Sequence, residues 1–378
     1  MNVYAQDPPD LQPLPDFKEV DPQKAELGKI LFFDEKLSGD NSLSCAICHD
    51  PSNFFTDKET MGFGYPGSLY FRNTPTVVNA HLSKYVYWDG RLPASDLPTL
   101  VRDHISEANF MNADGRLVLE RLRQVPEYQQ QFEDIFGGDP SYGRTLEVLT
   151  AFLKSLTSQN VPLDNYLKGD ENALTEDAKA GLALFKGKAN CIQCHYGPML
   201  SDGGFHSLGV PENQDIFKEP ERHITFRRFF KVFGVSEYAN LREDWGRYAV
   251  TKEDEDKGKF RTPTLREVAK TPPYMHNGML ATLDEVIEFY NQGGGAHPNK
   301  DPLLKPLGLT EEEKQQLKAF LEGFGKGFRE RLPHFPGVCG QTLQNRMLER
   351  RFRDERPPGS PPLHHVGRLG FVVLDPVR

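Results

Sequence analysis

"SCAICHD" (44–50) and "NCIQCHY" (190–196) are two copies of one pattern: two cysteines three apart, with a histidine directly after the second. Two thiols one helical turn apart can add to the two vinyl groups of a single haem, and the imidazole fixed beside them then reaches the iron from one face. Two C-x-x-C pairs could instead wrap a zinc ion. Zinc needs no histidine after each pair and does not explain a unit that repeats. The pattern is therefore read as two covalent c-type haems. Cys45, Cys48 and His49 would hold the first; Cys191, Cys194 and His195 would hold the second.

Overlaying the motifs exposes an internal repeat. "AELGKILFF" (25–33) precedes the first and "AGLALFKGK" (180–188) the second, both with apolar residues at helical spacing. Far downstream of each comes a further pair, "LEVLTAFLKSL" (146–156) and "KQQLKAFLEGF" (314–324), sharing "AFL". Thr310 with Glu313 predicts a capping-box start for the last helix. Each half thus reads as helix, motif, loop-rich middle and closing helix, with a linker near residues 158–175. Strand signals are few, and 33 Gly and 29 Pro punctuate the middles, so the class is all-α with long loops.

The 378 residues suffice for two ordinary domains, and 38% hydrophobic with 26% charged residues reads as soluble and globular. A formal net charge of −9 weighs against a nucleic-acid partner. No apolar run approaches the roughly 20 residues needed to span a bilayer. Four of the five cysteines fall in the motifs and the fifth is Cys339, which leaves nothing for a disulfide framework. "MNVYAQDPPD" resembles the end of a secretory signal peptide at its cleavage site, and covalent haem is attached outside the bacterial cytoplasm, so a periplasmic location is expected. Residues 331–378 hold eight Arg and no Lys, unlike the rest, and are read as a poorly ordered tail without chemistry of its own.

Two haems divide labour through their sixth ligands. An open iron activates an oxidant, and a closed one stores and relays electrons. Between His49 and "RNTPT" (72–76) there is no His and only Met61; His81 is the nearest later one. The first haem is therefore expected to be open at rest. In "LPTLVRDHISEANF" (97–110), His104 and Glu107 would share one helix face as catalytic groups beside it. For the second haem, "TPPYMHNGMLATLDEVIEFYNQGG" (271–294) offers Met275, His276, Met279 and Tyr290. A Met ligand would make an electron-transfer haem, while a Tyr phenolate would favour highly oxidised iron. Leu283, Val286, Ile287 and Tyr290 share a face of the helix predicted from Asp284 toward the glycines at 293–295.

In the order and spacing of "LGKILFFDEKLS", "SCAICHD", "RNTPT", "YWDGR", "NCIQCH", "FRTPTLREVAKTPPYMHNGM" and "EVIEFYNQGG", over roughly residues 20 to 325, the chain resembles the bacterial di-haem cytochrome c peroxidase family and, within it, the MauG-like branch. The resemblance implies two cytochrome c-like haem domains, here 16–160 with the peroxide-reactive haem and 161–330 with the relay haem. It implies Trp88 of "YWDGR" as the relay between haems and Glu107 as the acidic pocket residue. It also implies a calcium ion on the Asn73 side chain and the carbonyls of Thr271 and Pro273, and oxygen ligands suit such a hard cation. Tyr290 falls where the MauG-like branch places an iron-binding Tyr.

Two departures stand out. The His that standard peroxidases carry in the loop after the first motif is missing. Where MauG has a Trp two residues before its second motif, this chain has Ala189.

The expected function is reduction of hydrogen peroxide with electrons from a small c-type cytochrome or copper protein. A second reading is oxidation of aromatic side chains on a protein substrate through a two-Fe(IV) state. A third is a non-catalytic di-haem electron carrier or sensor.

Overall fold

The computed structural model describes residues 10–16 and 18–325; the tail at 331–378 and Cys339 lie outside the described residues. Helices dominate. In the first half they are α1 (Pro22–Phe32), α2 (Cys45–Cys48), α3 (Leu97–Ser106), α4 (Gly115–Arg123), α5 (Pro126–Phe136) and α6 (Tyr142–Ser155). Then follow α7 (Pro162–Leu167), α8 (Glu176–Lys186), α9 (Asp215–Lys218), α10 (Pro220–Val232), α11 (Tyr248–Thr251), α12 (Leu283–Asn291) and α13 (Glu311–Glu322). Sheet among the described residues is confined to two antiparallel pairs of two-residue strands. β1 (Tyr85–Val86) pairs with β2 (Leu92–Pro93), and β3 (Phe205–His206) pairs with β4 (Phe260–Arg261).

The helix boundaries follow local chemistry. Asp21 caps α1 by accepting from the N–H groups of Gln23 and Lys24, with Pro22 in the first turn. Ser141, Thr175 and Thr282 cap α6, α8 and α12 in the same way. Thr310 and Glu313 form the expected reciprocal capping box at the start of α13.

The sequence repeat is a repeat of one helix crossing. α1 packs on α6, and α8 packs on α13. Each crossing is made close by a glycine. A Cβ on Gly28 would lie 1.8 Å from the Val148 carbonyl oxygen, and one on Gly181 would lie 2.0 Å from that of Gln316. Phe152 and Phe320, the phenylalanines of the two "AFL" triplets, close the same crossings. Leu27, Leu31, Phe32, Phe132, Val148 and Phe152 are buried in one hydrophobic cluster. Leu182, Phe185, Ile287, Leu317, Phe320 and Leu321 are buried in another.

The segment at 158–175, read as the linker, is packed into the fold. Ser158 is buried, bonded to Asn79 and to the Glu267 carboxylate, and Asp164 on α7 pairs with the buried Arg266 at 2.6 Å. The loop-rich middles of both halves share a further core: Phe226, Phe229 and Phe230 of α10 pack on Phe71 of the first half with ring centres 5.2 to 6.4 Å away.

Candidate functional site

Both C-x-x-C-H motifs fold into the same short turn. The His49 N–H donates to the Cys45 carbonyl at 2.9 Å, and the His195 N–H donates to that of Cys191 at 3.0 Å. The four cysteines are unbridged. They do not converge on a zinc site: among the described residues, the one cluster with metal-ligand spacing joins Cys194 to Asp202 and His206. There His206 is bonded through both ring nitrogens, to Asp202 at 2.8 Å and to Asp301 at 2.5 Å. The Asp202 carboxylate leads in pushing its pKa up to about 11. A doubly bonded imidazolium has no lone pair for a metal.

The motif histidines have the opposite character. Nδ1 of His49 lies 3.1 Å from the Phe55 carbonyl, and Nδ1 of His195 lies 2.9 Å from the Leu200 carbonyl. A carbonyl only accepts, so Nδ1 carries the proton and Nε2 keeps its lone pair. Burial pushes His49 down to about 4 and also lowers His195, so both rings are neutral near pH 7. Neutral, backbone-oriented imidazoles of this kind are suited to hold iron.

One continuous cavity is lined by both motifs. Cys45, Cys48, His49, Cys191, Cys194 and His195 are enclosed by the fold, yet each keeps part of its surface free on this cavity. Around the first motif its wall is apolar, with Phe32, Val78, Leu100, Val101, Leu149 and Leu153. Tyr290, Val286 and Ile287 of α12 face it around the second, which bears out the helical stripe read from the sequence. Deep thiols and free imidazole nitrogens on an apolar-walled cavity fit c-type haem at each motif.

The sequence-predicted residues fall in different places. Trp88 lines the cavity and donates its indole N–H to the Asn73 carbonyl at 2.9 Å. Asn73, Thr271 and Pro273 also line it, and the Asn73 N–H donates to the His276 carbonyl at 2.7 Å, so the two stretches are adjacent. His104 lines it beside the first motif. Glu107 does not line the cavity. α3 stops at Ser106, and Glu107 is its C-terminal cap, with its N–H still donating to the Asp103 carbonyl at 2.8 Å. Burial does raise the pKa of Glu107, with Arg91 opposing. Met61 is packed in the aromatic core of α10, and His81 lies off the cavity. In the second half Met275 and His276 line it, whereas Met279 is 39% exposed and does not. His276 is stacked on Phe260 at 3.6 Å.

The sequence reading missed the charged scaffold. Arg72, fully buried, donates to Asp244 (2.6 and 2.9 Å) and to Asp89 (2.5 Å), and Arg91 also reaches Asp89. Arg261 on β4 donates its backbone N–H to the Trp88 carbonyl at 2.8 Å. The available signal was the doubled phrase "FRNTPT" and "FRTPT", which contains both arginines.

Comparison with known proteins agrees with this geometry. A family model described as di-haem cytochrome c peroxidase matches residues 22–172. Over 313 residues the chain is 49% identical to cytochrome-c peroxidase IdrP2 of Denitromonas iodatirespirans, covering 83% of this chain and 84% of that protein. The chain belongs to the di-haem cytochrome c peroxidase family. It is therefore an oxidoreductase, and the family name implies two c-type haems. Among other members, it is 35% identical to the methylamine utilization protein MauG of Methylorubrum extorquens, over 83% of this chain and 81% of that one. The crystal structure of a MauG-like protein associated with microbial copper homeostasis superposes with a TM-score of 0.69 at 28% identity, over 86% of this chain and 95% of that one. Among the described residues, no helix is long and apolar enough to cross a membrane.

Proposed function

We propose that this family member is a periplasmic di-haem c-type peroxidase that reduces hydrogen peroxide to water with electrons from a small c-type cytochrome or copper protein. The observation carrying the proposal is that both C-x-x-C-H motifs open on one cavity, each presenting a neutral imidazole with Nε2 free. When bound, the haems supply the iron at which peroxide is reduced and the second iron through which electrons arrive.

In this reading the protein's part is to orient and connect. The carbonyls of Phe55 and Leu200 fix the His49 and His195 rings. Tyr290 serves as the other ligand of the second iron, from α12. Trp88, held by the Asn73 carbonyl, carries electrons between the two centres. Asn73, with the carbonyls of Thr271 and Pro273, holds calcium where the two halves meet. The halves, 16–160 and 161–330, act as the two haem domains. Ala189 is buried and not aromatic, so oxidation of a protein partner through that position is not part of the proposal.

The test is peroxide consumption by the holoprotein with a reduced small c-type cytochrome or copper protein as donor. The expected stoichiometry is two donor electrons per peroxide. No consumption with either donor class sinks the proposal and favours a carrier or sensor.

A further inference from the structure

His104 shares the ring setting of the two motif histidines, an Nδ1 bonded to a backbone carbonyl and a place on the cavity, and nothing in the sequence motif required it to. Its ring lies on the cavity wall beside the first motif. Its Nδ1 sits 2.9 Å from the Leu100 carbonyl, so Nδ1 bears the proton and Nε2 keeps a lone pair, as in His49 and His195. Two aromatic rings stack on it, and the Tyr87 hydroxyl lies 3.3 Å from Nδ1. Tyr87 stacks on it at 5.5 Å with planes 5° apart, and Phe110 stacks at 4.4 Å and 15°.

The deciding quantity is its distance from His49. The two ring centres are 6.4 Å apart. Two imidazoles on opposite faces of one metal, each with a metal–nitrogen bond of about 2 Å, put their ring centres about 6 Å apart. A distal base that left room for a bound peroxide would stand further off: the peroxide and a hydrogen bond of about 3 Å would have to fit between it and the metal. The observed spacing has room for the first arrangement and is too short for the second.

We infer that His104 is the second axial ligand of the first haem, so that this iron is closed in the resting enzyme. This rests on the di-haem reading and deepens it. Contrary to the sequence expectation, lack of a His in the loop after the first motif does not leave the iron open. α3 supplies the ligand instead, 55 residues after His49. With haem bound, His104 would occupy the face of this iron that peroxide needs.

The test reads spin state rather than turnover. Electron paramagnetic resonance and near-infrared magnetic circular dichroism of the as-isolated ferric holoprotein should show both haems low-spin, one of them with the bis-imidazole signature. His104→Gly should keep two covalent haems per chain and convert one of the two to high-spin, and added imidazole should return it to low-spin. A wild-type spectrum with one high-spin haem per chain overturns the inference, whether or not the variant folds. So does a His104→Gly protein with unchanged spectra. Peroxide turnover is measured separately: bis-imidazole spectra without turnover defeat the peroxidase proposal and leave this ligand assignment standing.

Discussion

Trp88 donates its indole N–H to the backbone carbonyl of Asn73 over 2.9 Å, and Asn73 in turn donates its own N–H to the carbonyl of His276. One residue of "RNTPT" therefore ties the proposed relay to the segment that precedes α12. If Asn73 also binds calcium, removing the ion disturbs the relay before it disturbs either haem. Chelation, or Asn73→Ala, should slow electron sharing between the haems in stopped-flow reduction while leaving each ferric spectrum in place. Unchanged metal content and kinetics in Asn73→Ala would refute the calcium assignment.

Tyr290 can bind ferric iron only as the phenolate, and burial in this cavity raises its pKa. Ligation by iron has to offset that penalty, and an anionic oxygen then stabilises Fe(III). The wild-type protein should lack a methionine–iron charge-transfer band, and Tyr290→Phe should raise the second haem's midpoint potential. Met279→Leu should be silent, since Met279 lies off the cavity. A methionine–iron band that survives Tyr290→Phe and vanishes in Met275→Leu would reassign the ligand.

Glu107 caps α3 outside the cavity wall. Loss of a true general acid–base group costs about 10²–10⁴-fold in rate. Glu107→Gln is instead expected to stay within a few-fold of wild type in peroxide consumption. A loss in the larger range would restore the acid–base role read from the sequence.

The two close helix crossings give a stability test. A methyl group at Gly28 or Gly181 has no space against the backbone oxygen of the facing helix. Overpacking of this kind costs about 1–3 kcal/mol. Gly28→Ala and Gly181→Ala should each lower the denaturation midpoint, whereas Gly143→Ala on α6, with nothing within 4 Å, should not. Equal midpoints for all three would contradict the crossing geometry.

Burial, with Asp244 nearby, pushes Glu212 up to about 7. The folded protein therefore holds this proton more tightly than the unfolded chain. The resulting stabilisation is fully present below the ordinary carboxylate pKa and is lost as pH rises through about 7. Glu212→Gln should flatten the fall in stability across that window, measured by denaturant titration at several pH values. A wild-type-like slope in the variant would remove Glu212 as its source.

What the sequence determined by itself is local or repetitive. Two thiols and an imidazole within five residues need only one turn of backbone, so Cys45, Cys48 and His49, like Cys191, Cys194 and His195, were legible before any fold was known. Caps such as Thr310 with Glu313, and the α12 stripe that carries Tyr290, depend on spacings of three and four and were legible for the same reason. The tertiary structure decided what depends on partners far away in the chain. Arg72 is buried because Asp89 and Asp244 come to it from 17 and 172 residues away. Of His104 and Glu107, three residues apart, only His104 lines the cavity. No spacing rule encodes that difference. Nor does one encode the 6.4 Å between His49 and His104, which is set by how the fold seats α3 over the first motif.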